Sequence, residues 1–119
     1  MNEIKITVFQ TSAENRDLPG ITLEQIQGIK DILCHFDRIE YAIIYGSRVV
    51  GGHKSNSDLD IALSISRPKN FILSDIGENI NKMSIENLGL DVHLKVLEEI
   101  NNPDLLYTIK RDGVVVYRK

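Results

Sequence analysis

The most informative part of the sequence runs from Gly46 to Leu63 and reads GSRVVGGHKSNSDLDIAL. It follows directly on a β-rich run, Ile39 to Tyr45, whose central Ala-Ile-Ile predicts a strand buried on both faces. A loop of glycines and small polar residues comes next. The chain from Asp58 to Ile65 then alternates between two faces and predicts a second strand. The stretch therefore predicts two strands joined by a glycine-rich loop.

Asp58 and Asp60 lie on one face of this second predicted strand. Residues two apart on a strand are separated by about 6.6 Å, so their carboxylates can converge on one site. Two adjacent carboxylates repel each other unless a cation lies between them, and magnesium prefers oxygen ligands. A lone Asp-x-Asp is more often the solvated face of an ordinary strand. Because aspartate is a poor strand former, the pair favours a functional site.

Two further features are informative only in combination with these aspartates. Gly46 permits a turn and the close approach of a ligand, and a short helix from Ser47 to Val50 would present amides and a hydroxyl to a phosphate. A Gly-Ser pair also fits a plain turn. Asp91 lies on the polar face of a later predicted strand, from Leu90 to Val96. Beside the second strand its carboxylate could share a metal and accept a proton, whereas alone it would be a surface residue.

The rest of the chain alternates between predicted strands and helices. A capping box at Thr22 and Gln25 predicts a helix that ends near Asp37. The other predicted elements are a strand from Ile4 to Phe9, helices from Lys69 to Asn87 and from Pro103 through Lys110, and a strand from Val114 to Tyr117. This order predicts an α+β fold, in which a mixed β-sheet carries helices mainly on one face.

Composition limits the class of protein. The chain has 119 residues, 42% hydrophobic and 26% charged, which suits one globular domain. The net charge of −3 does not favour nucleic acid as a partner. Cys34 is the one cysteine, so no internal disulfide forms. Because no apolar run approaches the roughly 20 residues of a membrane span, and the start does not resemble a signal peptide, we expect a cytoplasmic protein without a membrane partner.

Together these motifs resemble those of the minimal nucleotidyltransferases of the DNA polymerase β superfamily. That family's signature is Gly-Ser, a ten-residue spacer, Asp-x-Asp, and a third aspartate on a later strand. This chain has Gly46-Ser47, the spacer from Arg48 to Ser57, Asp58-Leu59-Asp60, and Asp91. The resemblance extends from about residue 28 to the end and includes a terminal Asp-Gly-Val turn. The first twenty residues, which carry the extra predicted strand and a loop, do not match.

The resemblance implies a nucleotidyltransferase fold, similar to the palm of polymerase β, formed by residues 1–119 as a single domain. It implies that AMP is moved from ATP to a hydroxyl acceptor, with two magnesium ions and release of pyrophosphate. By position, Gly46 and Ser47 would hold the nucleotide, with Arg48 and Ser57 as further candidates. Asp58 and Asp60 would bind both metal ions. Asp91 would bind one metal ion and help to activate the acceptor.

The family also implies a partner. Its stand-alone members commonly pair with a helical HEPN-domain toxin and neutralise it, in part by adding AMP to a tyrosine. This implies an antitoxin that acts as a protein adenylyltransferase and assembles with its toxin as a hetero-oligomer. Two alternatives stay open: transfer to a small molecule such as an antibiotic, and a non-catalytic module that neutralises its partner by contact alone. The sequence leaves the acceptor and the base preference undetermined.

Several polar residues near the motifs have two interpretations. Arg48 either contacts phosphate or braces the loop through backbone carbonyls, and Ser57 either reaches a phosphate or caps the strand. We expect His53 and Lys54 to be solvent-exposed loop residues. His93 shares a face with Asp91, and a structural role is the simpler expectation for it. For Cys34, which is near the apolar stripe of the first helix, we expect a place in the core.

Overall fold

The computed structural model describes residues 18–119, in which four strands form one sheet in the order β3-β2-β1-β4. β1 is antiparallel to both β2 and β4, and β2 is parallel to β3. The strands are β1 (Ile39–Tyr45), β2 (Leu59–Ile65), β3 (Val92–Val96) and β4 (Val114–Arg118). The helices are α1 (Leu23–Leu33), α2 (Ser47–Val50), α3 (Ser74–Leu88) and α4 (Pro103–Asp112). The strand predicted from Ile4 to Phe9 lies outside the described residues.

The two faces of the sheet carry different helices. Leu59, Ile61 and Leu63 of β2 point to the face that packs against α1 and α3, and all three side chains are fully buried. Ala62 points to the opposite face, where it packs with Ile109 of α4. The prediction of a mixed sheet with helices mainly on one face is therefore confirmed. No helix in the described part of the chain is long and apolar enough to span a membrane.

α1 begins as predicted and ends earlier than predicted. The Thr22 hydroxyl accepts from the Gln25 amide at 3.0 Å, and the Gln25 side chain accepts from the Thr22 amide at 2.9 Å, which completes the capping box. The helix ends at Leu33 rather than near Asp37, because the amides of His35 and Phe36 bond three residues back and tighten the last turn. Cys34 is exposed at this C-cap, so the expectation of a core cysteine is wrong.

The helix predicted from Lys69 to Asn87 is two elements. A 3-10 turn spans Pro68–Asn70, and α3 begins only at Ser74. Proline fixes its backbone and lacks an amide hydrogen, and Arg67 before it has a left-handed φ of 53°, so the chain turns here. Ile72 is consequently 60% exposed and is not part of the apolar stripe. The predicted stop at Gly89 is confirmed, since this residue caps α3 with a φ of 69°.

The strand directions bring the sequence motifs to one end of the sheet. β2 and β3 are parallel, so both start at this end, and β1 is antiparallel to β2, so it finishes there. Gly46 and Ser47 follow β1, whereas Asp58 and Asp91 directly precede β2 and β3. The directions of the strands therefore place the candidate residues at the same end of the sheet.

Candidate active site

The site is built around the contact between Gly46 and Asp60. Tyr45, the last residue of β1, pairs with Asp60 of β2, so the turn after β1 lies over the Asp60 side chain. Gly46 has a φ of +87°, in the left-handed region that favours glycine. A Cβ at this position would collide with Oδ2 of Asp60. The carboxylate thus packs directly against the backbone of the Gly-Ser turn.

The other two aspartates lie at the edge of the same sheet end. Asp58 is exposed, two residues before Asp60, and the Leu59 side chain between them is fully buried. The Leu59 amide donates to the carbonyl of Asp91 at 2.9 Å, which places Asp91 beside the start of β2. Asp91 is also exposed. The predicted trio therefore lies at one end of two neighbouring strands, with Asp60 in β2 and with Asp58 and Asp91 just before β2 and β3.

Asn81 of α3 holds the Asp91 carboxylate. Its side-chain Nδ2 donates to Oδ1 of Asp91 at 3.2 Å, and its Oδ1 accepts from the Val92 amide at 2.8 Å. Within residues 18–119, no group of three or more His, Cys, Asp and Glu side chains is close enough to hold a metal ion. The structure brings the three aspartates to one end of the sheet without gathering their carboxylates around a single point.

His93 is a direct neighbour of Asp60 across the β2–β3 pair. The two residues are partners in the strand register, and Nδ1 of His93 lies 3.3 Å from Oδ1 of Asp60. The His93 side chain is 55% exposed. Sequence reasoning left two roles open for His93, the edge of the site and a structural role, and favoured the second, because the alternation of polar residues does not show which strand lies beside β3.

Tyr45 is a residue that sequence reasoning missed. It is 5% exposed, and its hydroxyl has no hydrogen-bond partner among the described residues. Burial, followed by the nearby negative charge of Asp60, raises the pKa of Tyr45 to about 12. Its place directly before Gly46 was the one available indication, and only the register of β1 with β2 shows that it lies opposite Asp60.

Arg48 braces the loop between α2 and β2. It is 8% exposed, and its guanidinium donates to three carbonyls: Ser57 at 2.9 Å, Gly20 at 2.7 Å and Ser55 at 3.2 Å. The Ser57 hydroxyl accepts from the Lys54 amide at 2.8 Å and closes a turn within the same loop. These hydrogen bonds support the interpretation that Arg48 braces the loop through backbone carbonyls. Phosphate contacts of Arg48 and Ser57 stay predictions.

Comparison with known proteins identifies the family. The model of the family described as "Polymerase beta, Nucleotidyltransferase" matches residues 27–119. The chain belongs to this nucleotidyltransferase family. Its fold is similar to that of a toxin–antitoxin solved with AMP-PNP (19% identity, TM-score 0.64), over 79% of this chain and 73% of the other. It is also similar to the toxin–antitoxin MntA-HepT (16% identity, TM-score 0.60), over 82% and 74%. No match was found among curated proteins.

The aspartates of this site have the donor chemistry that a divalent cation prefers. Asp58 and Asp60 offer carboxylate oxygens, which are hard ligands of the kind that magnesium prefers. Asp60 is only half-buried, and Asp58 and Asp91 are exposed, so all three carboxylates face solvent from which an ion and a nucleotide can enter.

Replacement of Gly46 by alanine should strain the site. Gly46→Ala forces a side chain onto backbone with φ +87° and ψ −163°, which costs on the order of 1–3 kcal/mol, and adds a collision with the Asp60 carboxylate. Gly52→Ala is a matched control, because Gly52 also has a φ of +87° but has nothing within 4 Å of its added Cβ. Urea unfolding should show that Gly46→Ala loses more stability than Gly52→Ala. Equal losses would contradict the packing of Asp60 on Gly46.

The buried Tyr45 predicts a pH dependence of stability. Its folded pKa of about 12 exceeds the ordinary tyrosine value of 10.0, so the folded state retains the proton at a pH where the unfolded state releases it. Its contribution is fully present below pH 10 and is lost as the pH rises towards 12. Between pH 9 and pH 11 wild type should lose about 1 kcal/mol more stability than Tyr45→Phe. Parallel losses in the two proteins would mean that the Tyr45 pKa is not raised.

Proposed function

We propose that this chain transfers AMP from ATP to a hydroxyl acceptor in a magnesium-dependent reaction. The observation that carries the proposal is the packing of the Asp60 carboxylate on Gly46, which places the Gly-Ser turn and the Asp-x-Asp motif at one point. Family membership supports transferase chemistry in general. The acceptor oxygen forms a bond to the α-phosphorus as the bond from that phosphorus to the bridging oxygen breaks, and pyrophosphate leaves.

Each residue has a role that follows from its position. Asp58 and Asp60 would hold magnesium, with two ions implied by the resemblance, and a divalent cation held there would supply positive charge against the phosphates. Gly46 and Ser47 contact the triphosphate at the end of β1. Arg48 and Ser57 keep the loop between these motifs in place. His93 fixes one orientation of the Asp60 carboxylate before the nucleotide enters.

Asp91 takes the proton of the acceptor hydroxyl. Asn81 occupies Oδ1 of Asp91, and a carboxylate has a second oxygen that can accept a proton. The same hydrogen bond holds the side chain until the acceptor is present. Asp91 lies at the solvent-exposed end of the sheet, where the hydroxyl of a large acceptor can approach it.

The proposed acceptor is a tyrosine of a partner toxin. The similar solved structures are toxin–antitoxin proteins, and one of them contains AMP-PNP. The exposed positions of Asp58 and Asp91 suit a protein acceptor, which brings its own surface to complete the site. We therefore propose an antitoxin that adds AMP to a HEPN-domain toxin and forms a hetero-oligomer with it.

A contact-only antitoxin is the second candidate. It is supported by the absence of a ready cluster of three metal-ligating side chains in residues 18–119. A protein that neutralised its partner by contact alone would not need these carboxylates to converge. The two candidates therefore differ in whether loss of the aspartates matters.

Calorimetric titration with ATP and magnesium tests the catalytic proposal. The purified wild type should bind ATP only when magnesium is present, and an Asp58→Asn, Asp60→Asn double variant should bind on the order of 100-fold more weakly. An Asp31→Asn, Asp75→Asn double variant changes the net charge equally at two exposed helix positions and should bind like wild type.

Two results would overturn the proposal. The first is metal-independent binding, or no binding, by a protein whose folding circular dichroism confirms. The second is a double variant that still neutralises a toxin partner as well as wild type does, which would favour the contact-only candidate.

A further inference from the structure

The turn that precedes α1 packs against the core and against α2. Leu18 and Ile21 form an isolated antiparallel bridge, so the chain between them makes one tight turn. Ile21 is 5% exposed and belongs to the hydrophobic core, and Leu18 packs against that core. The family model matches the chain only from residue 27, so this turn lies outside the matched region.

Two hydrogen bonds that run in opposite directions join Gly20 to Arg48. The Gly20 amide donates to the Arg48 carbonyl at 2.8 Å, and Nη1 of Arg48 donates to the Gly20 carbonyl at 2.7 Å. The second bond is buried, and loss of its acceptor would leave a buried guanidinium N–H without a partner, which is costly. The turn and α2 are therefore held together through both backbone and side chain.

This close approach requires glycine at position 20. A Cβ on Gly20 would lie 2.6 Å from both Cα and Cβ of Arg48, which is closer than real Cβ contacts. The φ of Gly20 is not in the left-handed region, so backbone conformation is not the reason for glycine here. At the other end of α2, the Pro19 ring lies 4.0 Å from the place that a Cβ on Gly51 would take. The turn thus contacts α2 at two points.

We propose that the turn from Leu18 to Ile21 positions the Gly-Ser turn, with Gly20 as a positioning residue for the nucleotide site. Arg48 directly follows Ser47. The amides of Val49 and Val50 both donate to the Gly46 carbonyl, so α2 and the Gly-Ser turn form one hydrogen-bonded unit. A shift of the Arg48 backbone therefore moves the Gly-Ser turn with it.

The Arg48 guanidinium extends the same link to the loop before β2. It donates to the carbonyls of Ser57 at 2.9 Å and Ser55 at 3.2 Å. The turn before α1, α2 and this loop thus meet at one side chain, and a binding site loses affinity when its supporting contacts loosen. The effect of the turn on nucleotide binding rests on the proposed function, whereas its effect on the position of α2 does not.

Calorimetric titration of Gly20→Ala with ATP and magnesium tests the positioning role in the full chain. Gly20 has no side chain to contact a nucleotide, so its replacement acts through Arg48 and α2. At a temperature where circular dichroism shows the variant to be folded, it should bind ATP roughly tenfold more weakly than wild type. Gly28→Ala is the matched control, because its added Cβ also makes a close contact, but with the Leu88 side chain on α3. It should bind ATP like wild type.

Amide hydrogen exchange, followed by NMR, gives a readout that does not need the nucleotide. The Gly51 amide donates to the Ser47 carbonyl at 2.8 Å and reports on α2. In Gly20→Ala it should exchange roughly tenfold faster than in wild type, while Ile44 in the central strand β1 exchanges unchanged. A loss of global stability alone would instead speed the exchange of Ile44.

The two readouts separate this inference from the proposed chemistry. If wild type binds ATP, equal affinity of Gly20→Ala and wild type, or an equal loss in Gly28→Ala, would overturn the positioning role. If wild type does not bind ATP, the proposed function fails, and the exchange of Gly51 decides whether the turn holds α2. Faster exchange in Gly20→Ala would support this, and unchanged exchange would overturn it.

Discussion

The contact between the Asp60 carboxylate and the backbone of Gly46 is the constraint on which the rest of the site depends. It requires a residue without a Cβ, a left-handed backbone at that residue, and a register that pairs Tyr45 with Asp60. The Gly-Ser turn and the Asp-x-Asp motif are separated by a ten-residue spacer, and this register brings them together. A shift of one residue between β1 and β2 would turn Asp60 towards the apolar core.

Asp60 has different neighbours on its β3 side and on its β1 side. His93 contacts one of its oxygens at 3.3 Å, whereas its register partner in β1 is the buried Tyr45. Arg48 adds rigidity without contacting the carboxylates, since its guanidinium reaches three carbonyls of the surrounding loops. Asp91 is held apart by Asn81. The arrangement is thus a braced turn beside two carboxylates that have side-chain partners, Asp60 and Asp91, and an exposed third, Asp58, which suits a site completed by its ligands.

Local features of the fold were predictable from the sequence, whereas contacts between elements were not. β1 has the predicted bounds, and the Thr22 capping box and the Gly89 stop form as expected, because each depends on neighbouring residues alone. The predicted start of α3 was wrong, because Pro68 and the apolar run after it also fit a helical pattern. The motif spacing located Gly46, Asp58 and Asp60, but the clamp of Asn81 on Asp91 depends on how α3 packs beside β3.

Replacement of magnesium by manganese offers the most direct test that the Gly46–Asp60 contact is the centre of a metal–nucleotide site. Paramagnetic manganese with AMP-PNP broadens the NMR signals of nearby amides. We expect the strongest broadening at Gly46, Ser47 and the start of β2, and little at α1. Broadening centred elsewhere on the chain, or none when AMP-PNP is bound, would contradict the placement of the site at this end of the sheet.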